Sequence, residues 1–177
     1  KGKLLKQAIS EVTSQPVRFM IYSHSHIDHI GDAHLFSGDG VQIIAQVETG
    51  KALKRYKDKN RPVPHINFGT NYTLSIGGIS IELIYPGEGH GKGNSIIYIP
   101  SRKIMMYVDT VTPKSVPFKN FAYTVDIFSQ ITGIEKVLKL YGKWESGQLD
   151  ERTVISGLAY KLVFRKGKVR LKLLKYD

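Results

Sequence analysis

The stretch MIYSHSHIDHIGD, residues 20–32, places three histidines and two aspartates within thirteen residues, directly after an apolar run. The residues VRFMIYS that lead into it have the β-branched and aromatic content of a buried strand. In an extended segment residues i and i+2 point to the same side, so His24 and His26 can bind one cation together. The sequence therefore predicts a metal site at the end of a strand, where functional residues are often found.

Two more donors, Asp28 and His29, follow where this strand is expected to end. We expect a helix from about Asp32, and the turn into it redirects Asp28 and His29 toward a second cation close to the first. The chain has no cysteine, so a metal here would be bound by imidazole and carboxylate alone. That donor set suits zinc, with iron or manganese as alternatives.

The motif HSHIDH, residues 24–29, matches the His-x-His-x-Asp-His signature of the metallo-β-lactamase superfamily, which the chain resembles from about Lys3 to Gly157. The resemblance implies an α/β (α+β) fold, a four-layer αβ/βα sandwich with a metal site at one edge between its two sheets. It also implies a hydrolase that uses one or two metals. The chain opens on the first helix of that fold, so we expect a sandwich that is incomplete at its N-terminus.

The resemblance identifies two further ligands along the chain. The Gly- and Pro-rich loop YPGEGHGKGNS supplies His90 before a strand that starts with Asn-Ser, and the hairpin strand KIMMYVDTV supplies Asp109. The metal ligands implied by the resemblance are His24, His26, Asp28, His29, His90 and Asp109.

The resemblance divides these ligands between two metals. His24, His26 and His90 would bind the first metal, and Asp28 and His29 would bind the second. The aspartate that follows the hairpin would lie between the two metals. Asp28 would also be catalytic, because its carboxylate can orient the attacking water and accept its proton.

The sequence departs from the family pattern at two positions. Val108 precedes the aspartate of the hairpin where the family typically has glycine. Leu158 follows the strand TVISG where the family usually has its last histidine, and no histidine follows His90 in this chain. The second metal site would therefore lose one imidazole, which is expected to weaken it.

Hydrophobic periodicity predicts mixed helices and strands in the rest of the chain. Three helices are expected. They are GKLLKQAISEVT (residues 2–13), which ends before Pro16, VETGKALKRYKDKN (47–60), which is polar and expected to be exposed, and VDIFSQITGIEKVLKLYG (125–142). Two single strands are expected, VQIIA (residues 41–45) and TVIS (153–156). Three hairpins are also expected. They are YTLSIGGISIELIYPG (72–87), turning at Gly77–Gly78, NSIIYIPSRKIMMYVD (94–109), turning around Ser101–Arg102, and YKLVFRKGKVRLKLLKYD (160–177), turning around RKGK. We expect one domain over residues 1–177, in which 158–177 are a divergent basic tail.

The net charge of +11 is concentrated at the end of the chain, since Tyr160 to Asp177 contains seven basic residues and one acid. No aromatic platform for stacking bases is interleaved with these basic residues, so the sequence favours a solvated face over a nucleic-acid surface. No apolar run approaches the roughly 20 residues that a membrane helix needs. We expect a small-molecule substrate. The missing strands would leave an unpaired sheet edge, for which there are two interpretations: a homo-oligomer in which a second copy covers the edge, or a fragment of a longer chain.

Three other features are weaker candidates for parts of a site. His34 is expected on the surface one or two turns beyond the motif, and His65, in RPVPHINF, is expected in a loop before a strand, with a place beside a substrate groove as the alternative. The segment PKSVPFKNFAYTVD, residues 113–126, is rich in aromatic residues and could line the metal site, although core packing is the better interpretation.

Two functions follow from these expectations. The first is a metal-dependent hydrolase in which a metal-bound water attacks an ester, amide, lactam or phosphoester. The alternative is a metal-binding protein of the same fold with weak or no catalysis, because its second site lacks a ligand. Nucleic-acid processing is a third hypothesis that only the basic charge favours. The sequence does not assign a cellular compartment.

Overall fold

The computed structural model describes residues 2–111, 123–145, 152–155, 160–165 and 168–173. The α-helices are α1 (Gly2–Val12), α2 (Ile27–Ile30), α3 (Val47–Tyr56) and α4 (Ile127–Glu145). Short 3-10 helices cover Ala33–Phe36 and Pro100–Arg102. No helix in the described ranges is long and apolar enough to cross a bilayer.

The strands form two sheets. The strands are β1 (Phe19–Ile21), β2 (Gln42–Gln46), β3 (Ile66–Phe68), β4 (Asn71–Ile76), β5 (Ile79–Ile84), β6 (Ile96–Ile99), β7 (Ile104–Met106), β8 (Arg152–Ile155), β9 (Tyr160–Arg165) and β10 (Lys168–Leu173). The small sheet has the order β1-β2-β3 and is parallel. The large sheet has the order β10-β9-β8-β7-β6-β5-β4, and its pairs are antiparallel except for β7 with β8.

Side-chain alternation along β2 and β6 gives the layers of the fold. On β2, Ile43 and Ala45 face the helices, whereas Ile44 packs with Ile97 of β6 between the two sheets. On β6, Ile96 and Tyr98 point to the face opposite that of Ile97 and pack with Val137 of α4. The order of layers is therefore helix, sheet, sheet, helix, which is the mixed helix-and-sheet architecture expected from the sequence.

The hairpins lie where the sequence predicts them. Gly77 and Gly78 have φ angles of 56° and 74°, and positive φ at both central residues is the condition for the tight turn of a two-residue hairpin. The second hairpin turns through the 3-10 helix Pro100–Arg102. In the third, β9 pairs with β10 and Arg165 lies opposite Lys168, whereas residues 166–167 of the expected turn lie outside the described residues. The predicted turn is therefore confirmed for the first two hairpins and the predicted strand pairing for all three.

In the described residues no α-helix begins at about Asp32, where one was expected, and a four-residue helix precedes that position. Helix α2 starts at Ile27 after the extended residue His26, whose carbonyl accepts hydrogen bonds from the N–H groups of His29 and Ile30. The Ala33–Phe36 segment is only a 3-10 turn. The expectation was wrong because it placed the helix start after the motif, whereas the motif itself supplies the first turn.

Helix α3 is also less exposed than its polar sequence indicates. Thr49, Gly50, Ala52 and Leu53 are buried, because one face of the helix packs against β2 and β3. The small side chains of this face permit a close approach that a count of charged residues does not detect.

The turn at Gly93–Ser95, which leads into β6 of the large sheet, is hydrogen bonded to α3 and to the segment that follows β1. The hydroxyl of Thr49, in the first turn of α3, donates to the Gly93 carbonyl at 3.3 Å, and the Ser95 N–H donates to the Ser23 carbonyl at 3.0 Å. Gly93 has φ +86°, and a Cβ there would meet the Thr49 hydroxyl and lie 2.6 Å from the Thr49 nitrogen. This turn therefore requires glycine for both its backbone conformation and its lack of a side chain.

A pair of glycine substitutions separates these two requirements. Gly40 has φ +82°, and a Cβ at this position would have no atom within 4 Å, so Gly40→Ala is expected to cost about 1 kcal/mol of backbone strain alone. Gly93→Ala adds a clash with Thr49 and is expected to cost about 3 kcal/mol or more. Urea unfolding of the two variants measures the difference, and equal losses of stability would contradict a tightly packed joint at Gly93.

Candidate metal centre

Side chains from four parts of the fold meet at one point. His24 follows β1 after two residues, His29 lies in the first turn of α2, and His90 lies in the loop between β5 and β6. Asp109 follows β7. The sandwich therefore brings together side chains that are separated by up to 85 positions in the sequence.

Asp109 occupies the centre of this group. Its Oδ2 lies 2.8 Å from Nε2 of His29, 3.3 Å from Nε2 of His90 and 3.5 Å from Nε2 of His24. The Asp109 side chain is one-fifth exposed, whereas the His24 side chain is almost fully buried. One carboxylate oxygen thus faces three imidazole nitrogens.

The imidazole rings pack edge to face around the same point. The centroids of the His24 and His26 rings are 4.5 Å apart, and those of His26 and His90 are 4.9 Å apart. Nδ1 of His26 lies 3.1 Å from Nε2 of His90. The two rings from the motif and the ring from the β5–β6 loop therefore turn nitrogens toward a common centre.

The orientation of His24 is fixed by the residue before it. Its Nδ1 is hydrogen bonded to the hydroxyl of buried Ser23 at 3.1 Å. An Nδ1–H that donates to this hydroxyl leaves the lone pair on Nε2. Nε2 of His24 is buried and, among the described residues, has no hydrogen-bond partner.

The electrostatics keep the imidazole of His24 neutral. Burial, with the charges of His26, His29 and His90 beside it, lowers the pKa of His24 to about 3. Burial also lowers the pKa of His26, against the opposing charges of Asp28 and Asp109. A neutral imidazole retains the lone pair that binds a metal.

His29 and the central carboxylate titrate in the opposite sense. The hydrogen bond with Asp109 raises the pKa of His29, although burial opposes this shift. Burial would raise the pKa of Asp109, but the hydrogen bond with His29 and the charges of the surrounding histidines outweigh it and lower that pKa. The carboxylate is therefore ionised at neutral pH and carries negative charge into the centre.

Asp109 has an unusual backbone conformation. Its φ is +60°, a left-handed conformation that Asp tolerates better than most residues. The amide of buried Asn94 holds this turn, because its Nδ2 donates to the Val108 carbonyl at 2.9 Å and to the Thr110 hydroxyl at 3.2 Å. The left-handed residue is thus the aspartate itself, and the preceding position, Val108, is a buried core residue.

The predicted ligands fall into two groups in space. One nitrogen each of His24, His26 and His90 and one oxygen of Asp109 lie within 4.8 Å of one another. Asp28 is at the rim, where its side chain is 75% exposed and its Oδ2 lies 3.3 Å from Nε2 of His29, the ring that contacts Asp109 at 2.8 Å.

The other sequence candidates lie outside this centre. His34 is exposed, as expected. Nδ1 of His65 accepts a hydrogen bond from the Ile43 N–H at 3.0 Å, so this histidine holds the end of β2. Leu158 and most of the 113–126 segment lie outside the described residues.

Sequence reasoning did not assign roles to Ser23 and Asn94. Ser23 is adjacent to the first ligand, a position from which a short hydroxyl can reach the neighbouring ring. Asn94 belongs to the Asn-Ser pair that marks the start of β6. That it holds the Asp109 turn depends on a contact between distant segments, which the motif alone does not reveal.

The donor set fits a divalent metal ion. Neighbouring ligand atoms of a tetrahedral zinc site are about 3.3 Å apart, from bonds of about 2.0 Å. Here Nδ1 of His26 and Nε2 of His90 are 3.1 Å apart, and Oδ2 of Asp109 lies 3.3 and 3.5 Å from Nε2 of His90 and His24. The buried Nε2 of His24 is also the kind of polar atom that needs a partner.

The family model described as Metallo-beta-lactamase superfamily matches residues 3–157. The chain therefore belongs to the metallo-β-lactamase superfamily. The match covers the helix–strand–motif segment, the loop with His90 and the turn with Asp109, so the family and the geometry identify the same region.

Curated relatives match over part of their length. The alpha subunit of 2,4-dinitroanisole O-demethylase from Nocardioides sp. (strain JS1661) is 37% identical over 103 residues, which are 58% of this chain and 31% of the relative. A type 2 metallo-beta-lactamase from Bacillus cereus is 29% identical over 145 residues, which are 79% of this chain and 55% of the relative. The chain thus spans about a third to a half of the curated relatives it matches.

Solved structures agree on the fold. A metallo-beta-lactamase from Pontibacter korlensis superposes with a TM-score of 0.69 at 22% identity, over 85% of this chain and 67% of that one. The metallo-beta-lactamase IND-7 superposes with a TM-score of 0.70 at 21% identity, over 88% of this chain and 66% of that one. The fold is therefore that of the superfamily, and the partial coverage agrees with an incomplete sandwich.

Metal content tests the assignment of ligands. His24→Ala and His90→Ala each remove a buried imidazole from the centre, and each is expected to weaken zinc binding at least tenfold, since loss of an outer contact alone typically costs about 10–100-fold. The exposed His34→Ala is the matched control and should retain the zinc of the unaltered chain. Elemental analysis after gel filtration measures the difference, and zinc that stays bound to both centre variants would contradict the assignment.

Proposed function

We propose that this chain is a metal-dependent hydrolase. The observation that carries the proposal is the grouping of His24, His26, His90 and Asp109 within 4.8 Å, in a chain that belongs to the metallo-β-lactamase superfamily. Because the chain spans only part of its curated relatives, its activity is argued from its own residues.

Zinc is the metal that this donor set suits best, since it combines imidazole with carboxylate and no thiolate. His24, His26 and His90 would hold one ion, His29 and Asp28 would hold a second, and the Asp109 carboxylate would contribute to the same centre. A metal bound there would lower the pKa of water toward neutrality and polarise the scissile carbonyl or phosphoryl group of a substrate. The remaining steps depend on the protein's side chains.

Asp28 is the residue proposed to handle the proton. Its carboxylate is 75% exposed and lies 3.3 Å from Nε2 of His29, so it is open to solvent and adjacent to the centre. A carboxylate in this position can accept a proton from the attacking water and return it to the leaving group. Asp109 has a different role, because its hydrogen bond with His29 and its place among three imidazoles commit it to holding the centre together.

The proposed substrates are small molecules with an ester, amide, lactam or phosphoester bond. The names of the relatives widen the set to be assayed. The Bacillus cereus relative is called a metallo-beta-lactamase and the Nocardioides relative an O-demethylase subunit, so a β-lactam and an aryl methyl ether belong in the panel.

The second candidate function is metal binding with weak or no catalysis. Leu158 stands where the last histidine of the family is expected. A second metal site that lacks an imidazole would bind its ion less tightly. Turnover with saturating zinc separates the two functions.

The decisive assay uses a chromogenic β-lactam, a nitrophenyl ester, a nitrophenyl phosphodiester and 2,4-dinitroanisole with the unaltered chain. We expect turnover of one or more of these substrates that a chelator abolishes and added zinc restores. Asp28→Asn should retain the zinc held by His24, His26 and His90 and lose about 10²–10⁴-fold in kcat, as expected for a group that transfers a proton. His34→Ala should match the unaltered chain.

Two results would count against hydrolysis. Absence of turnover on every substrate with excess zinc would favour the metal-binding function. Turnover that survives both the chelator and His24→Ala would indicate a contaminating enzyme and not this centre.

A further inference from the structure

Arg61, in the loop after α3, contacts the backbone between two of the proposed metal ligands. Its Nη1 donates to the Ser25 carbonyl at 2.7 Å, across 36 positions of sequence. Ser25 lies between His24 and His26 and is itself buried. The contact is therefore made within the ligand-bearing segment, residues 24–29, between its first two histidines.

Two other contacts, with Asp58 and Tyr56, hold the guanidinium of Arg61 in place. Its Nε donates to Oδ2 of Asp58 at 2.7 Å, and the two side chains are only 12% and 22% exposed. Its Cζ lies 4.9 Å from the centre of the Tyr56 ring, a distance at which a cation is attracted to an aromatic face. A planar group fixed on one edge and one face can present its remaining N–H groups in a single direction.

Asp58 is anchored in turn by the backbone of the same loop. Its Oδ1 accepts a hydrogen bond from the Asn60 N–H at 2.9 Å, and its carbonyl accepts one from the Arg61 N–H at 3.0 Å. The loop thus forms a closed turn that aims the arginine without help from the metal centre.

Two other contacts of this loop flank the one made by Arg61. The Tyr22 hydroxyl donates to the Pro62 carbonyl at 3.0 Å, and the His34 N–H donates to the Asn60 carbonyl at 3.1 Å. Tyr22 precedes the ligands and His34 follows them. The loop therefore binds both ends of the ligand-bearing segment through its own backbone carbonyls, and only the middle contact uses a side chain of the loop.

We propose that Arg61 is a positioning residue of the metal centre, which fixes the peptide between His24 and His26 so that both rings face one ion. The inference rests on the proposed function, because it assumes that these histidines bind a metal. The His24 end is held by β1 and the His26 end by α2, so the peptide between them can rotate when its carbonyl has no donor. Such a rotation would change the angle between the two rings while leaving the fold in place.

Metal affinity measured on folded protein tests this role. Zn²⁺ competition with a chromophoric chelator should show Arg61→Ala binding about 10–100-fold more weakly than the unaltered chain, the range typical of contacts that orient ligands. Arg61→Lys should recover part of the loss, because an ammonium can donate to the carbonyl but lacks the fork that also binds Asp58. The Co²⁺ absorption spectrum should shift in Arg61→Ala, since the ligand geometry changes.

Arg55→Ala is the matched control. Arg55 is an exposed arginine in the last turn of α3, so its removal changes the net charge equally without touching Ser25. It should leave the Zn²⁺ affinity and the Co²⁺ spectrum unchanged. A loss of affinity in Arg55→Ala equal to that in Arg61→Ala would overturn the proposal in favour of a general charge effect.

Circular dichroism shows whether Arg61→Ala folds, and if it does not, Asp58→Asn keeps the loop volume while releasing the guanidinium. Asp58→Asn should then bind Zn²⁺ several-fold more weakly, and an unchanged affinity would overturn the proposal. If the unaltered chain binds no Zn²⁺, the proposed function fails with it, whereas tight binding that ignores Arg61 refutes the positioning role alone.

Discussion

The structure depends on one crowded electrostatic arrangement, in which four imidazole rings share the space around the carboxylate of Asp109. Burial and the neighbouring rings lower the pKa of His24 to about 3, so the deepest ring stays neutral and presents a lone pair. The carboxylate stays ionised because His29 donates to it. An interior that holds the Asp109 carboxylate and the neutral imidazole of His24 is suited to a cation, because a deprotonated carboxylate and a neutral imidazole are both metal ligands.

This arrangement requires that two sheets meet with little freedom. The small sheet and α2 carry the motif histidines, and the large sheet carries His90 and Asp109. The turn at Gly93–Ser95 connects the two sides: its backbone is hydrogen bonded to Ser23 and Thr49, while Asn94 holds the Asp109 turn. Because one short segment contacts the ligand segments on both sides, a shift in the packing of the sheets would be transmitted to the metal centre.

The sequence predicted the parts of the fold and of this centre that depend on local spacing. The i, i+2 pair His24 and His26 on an extended segment, the glycine turn at Gly77–Gly78 and the positions of the hairpins all follow from backbone geometry within a few residues. The family resemblance added His90 and Asp109, and the structure brings both into the same group as the motif histidines.

What the sequence did not predict depends on contacts between distant segments. The buried face of α3 is set by packing against β2 and β3 and not by local pattern. The hydroxyl of Ser23, the amide of Asn94 and the guanidinium of Arg61 each act on a backbone or ring that only the folded chain brings within reach. Residues of these types are common in loops, so no pattern distinguished them beforehand.

The central claim is that His24, His26, His90 and Asp109 bind one divalent ion, and anomalous diffraction tests it most directly. Crystals grown with Zn²⁺ and measured on both sides of the zinc absorption edge should show a strong anomalous peak in contact with Nε2 of His24, a ring nitrogen each of His26 and His90, and the Asp109 carboxylate. A second, weaker peak beside His29 and Asp28 would agree with the incomplete second site. An absence of any peak among the three histidines, at a zinc concentration that saturates the protein in solution, would contradict the account.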